Sequence, residues 1–155
     1  MANSSTRMNS KPSKPPRRTS NPAASSPAAL ARMQRQPQKD TLPELDLRRE
    51  LHRRGLRYRT HLPVIDGRLK HDIVFVGPRI VVEVRGCFWH NCPLHGTQPK
   101  KNSAWWAAKL AANCRRDADT ERRLRAAGWA LVTVWEHEEA KDAADAIERR
   151  VRSPM

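Results

Sequence analysis

Large apolar residues are nearly missing from the first forty positions and then return in short runs whose spacing changes along the chain. Leu45, Leu47 and Leu51 recur at helical spacing behind Asp40 and Thr41, which are N-cap candidates. Glu44 stands three residues beyond Thr41, as in a capping box, and Gly55 supplies a stop. The stretch Leu56 to Leu62 alternates weakly and runs into a turn from Pro63 to Gly67. Ile73 to Val76 and Ile80 to Val84 are β-branched runs separated by Gly77-Pro78, which predicts adjacent strands. Ala104 to Ala127 lacks Gly and Pro, is rich in Ala, Leu, Lys and Arg, and is closed by Gly128, as a helix would be. Trp129 to Trp135 alternates as a further strand, and Ala140 to Val151 predicts a terminal helix. Helix, three strands, helix, strand, helix makes an α/β or α+β sandwich of modest size, with no internal repeat.

Composition adds a division to this pattern. Residues 1–31 are Ser, Pro, Asn and Ala with scattered Arg and Lys, too poor in apolar surface to offset chain entropy, and are expected to form a disordered basic tail on a domain spanning 32–155. The formal net charge of +14 calls for a polyanionic partner, since counterion release favours such a chain on nucleic acid. Charge alone does not separate DNA from RNA or an anionic membrane surface, and a merely soluble basic protein is the plainer alternative. No apolar stretch approaches a membrane span and no secretory signal is visible, so a cytoplasmic setting is expected. Three cysteines, an odd number, argue against a disulfide framework and favour clustered Cys and His as metal ligands.

The candidate chemistry is concentrated in Gly86-Cys87-Phe88-Trp89-His90-Asn91-Cys92-Pro93-Leu94-His95. Cys87, Cys92 and His95 follow a C-x4-C-x2-H spacing that can give three ligands to one tetrahedral zinc from a single loop, with a fourth still to be found. A chance meeting of Cys and His in a buried turn is the alternative. Just upstream, Asp72 starts one strand, while Glu83 and Arg85, two apart on the next, must share a face. An Asp followed after ten residues by a Glu-x-basic triplet lets two carboxylates hold Mg2+ while a cation steadies the phosphate or the attacking water. On their own such residues are more often solvated; here they lead without a break into the Cys/His loop.

Gly86-Cys87-Phe88-Trp89-His90, Asn113 with Asp117, and Gly128-Trp129 followed by Val134-Trp135-Glu136 resemble the very short patch repair (Vsr) endonucleases. The segment from Arg32-Met33 through Asp40-Thr41 to Pro43-Glu44 resembles that family's start, and the likeness runs from about Arg32 to Glu138. It implies a restriction-endonuclease-like mixed sheet flanked by helices, with a structural zinc. It also implies Mg2+-dependent nicking of one DNA strand 5′ to the thymine of a T:G mismatch. By position it implies Asp72 and the backbone carbonyl of Val84 as Mg2+ ligands, His90 as the catalytic histidine, and Glu44 and Asp117 as further catalytic acids. It places the zinc ligands at Cys87, Cys92, His95 and His137, the last supplying the missing fourth. A closed four-coordinate set is the mark of a structural zinc. Double-stranded DNA is the implied partner, with mismatch-repair proteins as candidates beside it. A monomer acting at the nucleoid is expected.

Two positions depart from the best-known form of the family. Arg85 stands where that form has a histidine, and arginine cannot accept a proton, so it is expected to clamp phosphate. Glu83 stands where that form is apolar, and is expected to join Asp72 on Mg2+. Phe88 and Trp89 are candidate wedges into the base stack, where a mismatched step is cheaper to open. Trp106 is a third wedge candidate, with core packing as the commoner fate of a helical Trp. Trp106, Lys109, Asn113 and Asp117 fall within roughly a quarter of an ideal helix's circumference, so Lys109 and Asn113 join the DNA-binding candidates. Cys114, Trp129 and Trp135 are expected in the core, and His52, His61 and His71 at the surface or in turns. Arg48, Arg49, Arg53 and Arg54 are either phosphate contacts or a solvated face. A related nuclease with another DNA target, and a zinc-stabilised DNA-binding protein that does not cut, remain as alternatives.

Overall fold

A computed structural model describes residues 27–153. The elements are α1 (Pro27–Arg35), α2 (Leu42–Arg53), β1 (Arg59–Pro63), β2 (Lys70–Phe75), β3 (Ile80–Arg85), α3 (Ser103–Ala126), β4 (Ala130–Trp135) and α4 (Ala140–Arg152). From α2 onward this is the order that the periodicity predicts. Most of the tail lies outside the described residues. Its last five positions, 27–31, belong to α1, where Ala-rich sequence with good helix propensity outweighs the scarcity of apolar side chains.

The four strands form one mixed sheet in sequence order, antiparallel from β1 to β3 and parallel between β3 and β4. A parallel pair needs a crossover, and α3 provides it. Alternation along the strands sorts side chains into two layers. Ile73, Phe75, Ile80, Val82 and Val134 meet Leu47 and Leu51 of α2 and Ala143, Ala144 and Ile147 of α4 on one face. Val74 and Val81 meet Leu124 of α3 on the other, with Leu62, Trp129 and Leu131 around them. The sheet therefore lies between α2 with α4 and the crossover helix.

The two long internal helices end where glycine allows. Gly55 and Gly128 take left-handed φ angles of 74° and 78°, and the residue after each donates back to the preceding helix, Leu56 to Leu51 O and Trp129 to Leu124 O. Arg48, Arg49, Arg53 and Arg54 do not form a free cationic face. Each pairs with acids, and Arg54 joins α2 to α4 through Asp145 and Glu148 while also holding Glu50. Trp129, Trp135 and Cys114 are half-buried rather than core, the first lying under the Arg79 guanidinium at 5.4 Å. Among the described residues no helix is long and apolar enough to cross a membrane.

Ile147 is fully buried where α4 meets the sheet, so Ile147→Ala is expected to lower the unfolding free energy by about 2–4 kcal/mol in a urea titration. A loss below about 0.5 kcal/mol would mean that α4 is not part of the cooperative core.

Candidate active site and metal centre

The parallel β3–β4 pairing runs to Arg85 and Trp135 and delivers both strand ends to one place. The Glu136 N–H donates to Arg85 O (3.0 Å), and the Glu136 carboxylate accepts the Cys87 N–H (2.7 Å). His137 follows, with Nδ1 3.0 Å from Cys87 Sγ and 3.8 Å from Cys92 Sγ. The ligand atoms of Cys87, Cys92, His95 and His137 all lie within 4.8 Å of one another, the thiols buried and the imidazoles at the surface. Tetrahedral zinc with bonds of about 2.0–2.3 Å sets donors roughly 3.3–3.8 Å apart, so this soft donor set fits that ion. Burial and the neighbouring Cys92 push the Cys87 thiol up to about 11, a state that a bound cation would reverse. Gly96 closes the loop where a Cβ would come within 2.7 Å of Cys92 O.

Three carboxylates lie at the base of this loop, and they differ in what neutralises them. Glu44, at the start of α2, is buried and accepts the Asp40 N–H (2.8 Å), the Thr41 hydroxyl (3.2 Å) and Arg48 Nη2 (3.4 Å). Glu83 receives Arg85 Nη2 on one oxygen (3.2 Å) and lies 2.9 Å from His71 Nδ1 through the other. Burial would raise it, but His71 and Arg85 together hold it below the usual carboxylate range. Asp72 accepts only the Val84 N–H, at 2.9 Å, and makes no salt bridge among the described residues. Burial, with Glu44 and Glu83 nearby, pushes its carboxyl up to about 6 despite the Val84 hydrogen bond. A half-buried carboxylate with two more nearby, and no salt bridge of its own among the described residues, fits a hard divalent ion.

The β2–β3 register stops at Ile73↔Val82, and the side chains show the reason. Beyond that point the Asp72 carboxylate, in place of a backbone carbonyl, takes the Val84 N–H, and His71 rather than Asp72 meets Glu83. His71 is accordingly a core residue, 1% exposed, not a surface one. Strict alternation could not foresee this. Opposite the break, His61 of β1 takes a left-handed φ of 52° and lies 3.1 Å from Asp40 through Nε2.

Helix α3 returns across the loop. Asp117 Oδ2 is 2.6 Å from His90 Nδ1 and 3.9 Å from Arg85 Nη1. Asn113 donates from Nδ2 to Trp89 O (2.9 Å) and accepts from Arg116, so its amide ties the loop to the helix instead of facing outward. Phe88, Trp89 and Trp106 form a half-buried cluster with centroids 5.1 to 5.9 Å apart, and Trp105 stacks edge-on behind Trp106. Lys109 is half-buried one turn further along α3. The structure thus groups Asp72, Val84, Arg85, His90 and Asp117 around one end of β3. Glu44 approaches from α2, and Glu83 is engaged away from Asp72. Asp40, Arg48 and His61 form a linked group beside Glu44; the sequence marks Asp40 as a helix cap and Arg48 as a surface cation, and carries no signal that joins His61 to them.

A family model described as DNA mismatch endonuclease Vsr matches residues 27–95. The chain is 44% identical over 118 residues to the type II nicking enzyme V.NaeI of Lentzea aerocolonigenes, covering 74% of this chain and 71% of that one. It is 39% identical to the type II nicking enzyme V.XorIIP of Xanthomonas oryzae, covering 78% and 87%. Against the DNA mismatch endonuclease Vsr of Escherichia coli the identity is 34%, over 63% and 62% of the two chains.

Because the Asp72 carboxyl sits higher in the fold than the ordinary aspartate value near 3.8, the folded state binds the extra proton between about pH 4 and 6. Stability contributed by that proton is present below pH 4 and lost as pH rises through 6. Asp72→Asn, which keeps an acceptor for Val84, is therefore expected to stabilise metal-free protein at pH 7.5 by up to about 3 kcal/mol, with the gain vanishing toward pH 4. Thermal melts across this range check it; a variant less stable than wild type at pH 7.5 would refute the burial argument.

Proposed function

This chain belongs to the Vsr family of DNA mismatch endonucleases, and from that premise we propose that it nicks one strand of duplex DNA 5′ to the thymine of a T:G mismatch with Mg2+. It is a DNA endonuclease; the lesion, the ion and the residue roles are our reading. The observation that carries it is the contrast among these acids: Glu44 and Glu83 are hydrogen-bonded by Arg48 and Arg85, and Asp72 makes no salt bridge among the described residues. We read the strand pair that bears Asp72 and Val84 as the metal-binding edge of a restriction-endonuclease-like sheet.

Asp72 and the Val84 carbonyl would hold Mg2+, which supplies a Lewis acid to the phosphate undergoing attack. His90 takes the proton of the attacking water at Nε2, while Asp117 fixes the ring by its contact with Nδ1 (2.6 Å) and balances the charge the imidazole acquires. Glu44 keeps the start of α2, and with it Arg48, in place beside Asp72. Arg85 offers a planar pair of donors to a phosphate oxygen and cannot exchange protons, so a single imidazole does the proton work. Phe88, Trp89 and Trp106 act as the wedge that opens the weak mismatched step, and Lys109 contacts the backbone beside it. Zinc held by Cys87, Cys92, His95 and His137 would fix the loop that carries His90 and these rings. Residues 1–31 would add cationic contacts without base readout. A nicking activity directed at another DNA target is the second reading, left open because two of the relatives reported above are named as nicking enzymes with no mismatch in the name.

Nicking of end-labelled T:G and T:A duplexes with and without Mg2+ tests the reading. Cleavage of the T-bearing strand of the T:G duplex alone, dependent on Mg2+, is expected. Phe88→Ala with Trp89→Ala should reduce T:G preference more than it reduces metal dependence, and equal cutting of both duplexes by wild type would favour the second reading.

One zinc per chain is expected by elemental analysis. Cys92→Ala should lose it and melt well below wild type, because a structural zinc contributes folding free energy directly. Full stability in that variant would reject a structural role for the ion.

A further inference from the structure

The sequence pairs Glu83 with Asp72 as joint holders of Mg2+, but packing engages Glu83 elsewhere. Its Oε1 lies 2.9 Å from His71 Nδ1 and its Oε2 accepts from Arg85 Nη2 at 3.2 Å, so both oxygens are taken by groups of the protein itself. His71 is a fixed point for this contact: its side chain is fully buried, and Nε2 has no partner among the described residues, which leaves Glu83 as the polar group that sets its ring. On the far side Arg85, with a side chain only 12% exposed, reaches from Glu83 to Asp117, whose Oδ2 is 3.9 Å from Nη1 and also holds His90. The chain of contacts runs from the core through Glu83 to Arg85 and ends at the catalytic imidazole. A guanidinium spanning two carboxylates is held in one plane, and its remaining terminal N–H groups are of the kind that a phosphate oxygen accepts.

We propose that Glu83 and His71 are positioning residues for Arg85, holding its guanidinium against the scissile phosphate, and that Glu83 acts through Arg85 and not through the metal. This rests on the reading of Arg85 as the phosphate clamp of a Mg2+-dependent nickase. The bridge from a buried histidine to a half-buried arginine lies where the β2–β3 pairing has ended, past Ile73↔Val82, and it is the side chain of His71 that reaches Glu83 there.

Single-turnover nicking and the Mg2+ concentration for half-maximal rate, measured on the full chain, give a double-mutant cycle. Arg85→Ala is expected to slow nicking by about 100-fold and Glu83→Gln by about 10-fold or more. In the Arg85→Ala background Glu83→Gln should add less than about 3-fold, because its effect passes through the missing guanidinium. The half-saturating Mg2+ concentration should change by less than about 2-fold in Glu83→Gln, whereas a lost metal ligand would raise it by about 10-fold or more. His71→Asn, whose amide can replace the Nδ1 donor, should recover most of the rate that His71→Leu loses. If Glu83→Gln does not fold, Glu83→Asp enters the same cycle and must show the same non-additivity. Multiplicative losses, or a raised Mg2+ requirement, would overturn the proposal and return Glu83 to the metal. An Arg85→Ala variant that cuts at the wild-type rate would overturn the clamp reading and this inference with it. A wild-type chain that cuts without Mg2+ would instead overturn the metal reading while leaving the cycle interpretable.

Discussion

The parallel alignment of β3 with β4 is the constraint on which the site depends. It sets Arg85 beside Trp135, and the residues that follow each strand then meet: Cys87 donates to Glu136, and His137 comes within 3.0 Å of the Cys87 thiol. A slip of one residue would turn the β4 side chains to the opposite face and carry His137 away from the thiols. The crossover that a parallel pair requires is α3, and the same helix brings Asp117 to His90 and Asn113 to the Trp89 carbonyl. One topological choice therefore joins the Cys/His cluster to the His90–Asp117 pair. The loop between them is short, and it is held at Cys87, Trp89, His90 and Cys92.

Electrostatics on the other side of the loop follow from a shortage of cations in a strongly basic protein. The surface carries the excess positive charge, while the three carboxylates near Val84 are buried or half-buried and receive only what the fold brings to them. Arg48 goes to Glu44 and Arg85 goes to Glu83. Asp72 is left with a single N–H, and its carboxyl rises to about 6. Such a destabilising carboxyl is the kind of group that clusters at functional sites, and a divalent ion bound there would relieve its cost.

Much of the fold was legible because it rests on local chemistry. The β-branched runs at Ile73 and Ile80, the Gly-closed helices, and the amphipathic terminal segment each specify their element without help from distant contacts. Cys87, Cys92 and His95 were legible for a different reason, since soft ligands at loop spacing are rare by chance, whereas His137 was named only through the family resemblance. What could not be read from the residues is where strand pairing fails. Spacing joined Asp72 to Glu83, and past the last paired position, Ile73↔Val82, it is His71 whose side chain meets Glu83. His71 looked like a turn residue because nothing in its neighbours signals burial. The roles of Asn113 and Arg54 were likewise hidden, as their partners come from elements distant in sequence, whereas Arg49 and Arg53 keep the solvated face with acids one turn away.

Arginine at position 85 brings its own requirement. A histidine there could be neutral and need no counter-ion, but a guanidinium with 12% of its side chain exposed is charged at every working pH and must be matched. Glu83 meets that need on one side and Asp117 on the other, and Glu83 in turn is oriented by His71. Leaving any one of these charges without its partner in a largely buried setting costs about 3–5 kcal/mol, more than most surface ion pairs contribute. Within this chain Glu83 and Arg85 therefore form one unit, because a fixed cation at the end of β3 obliges the strand to carry an acid beside it.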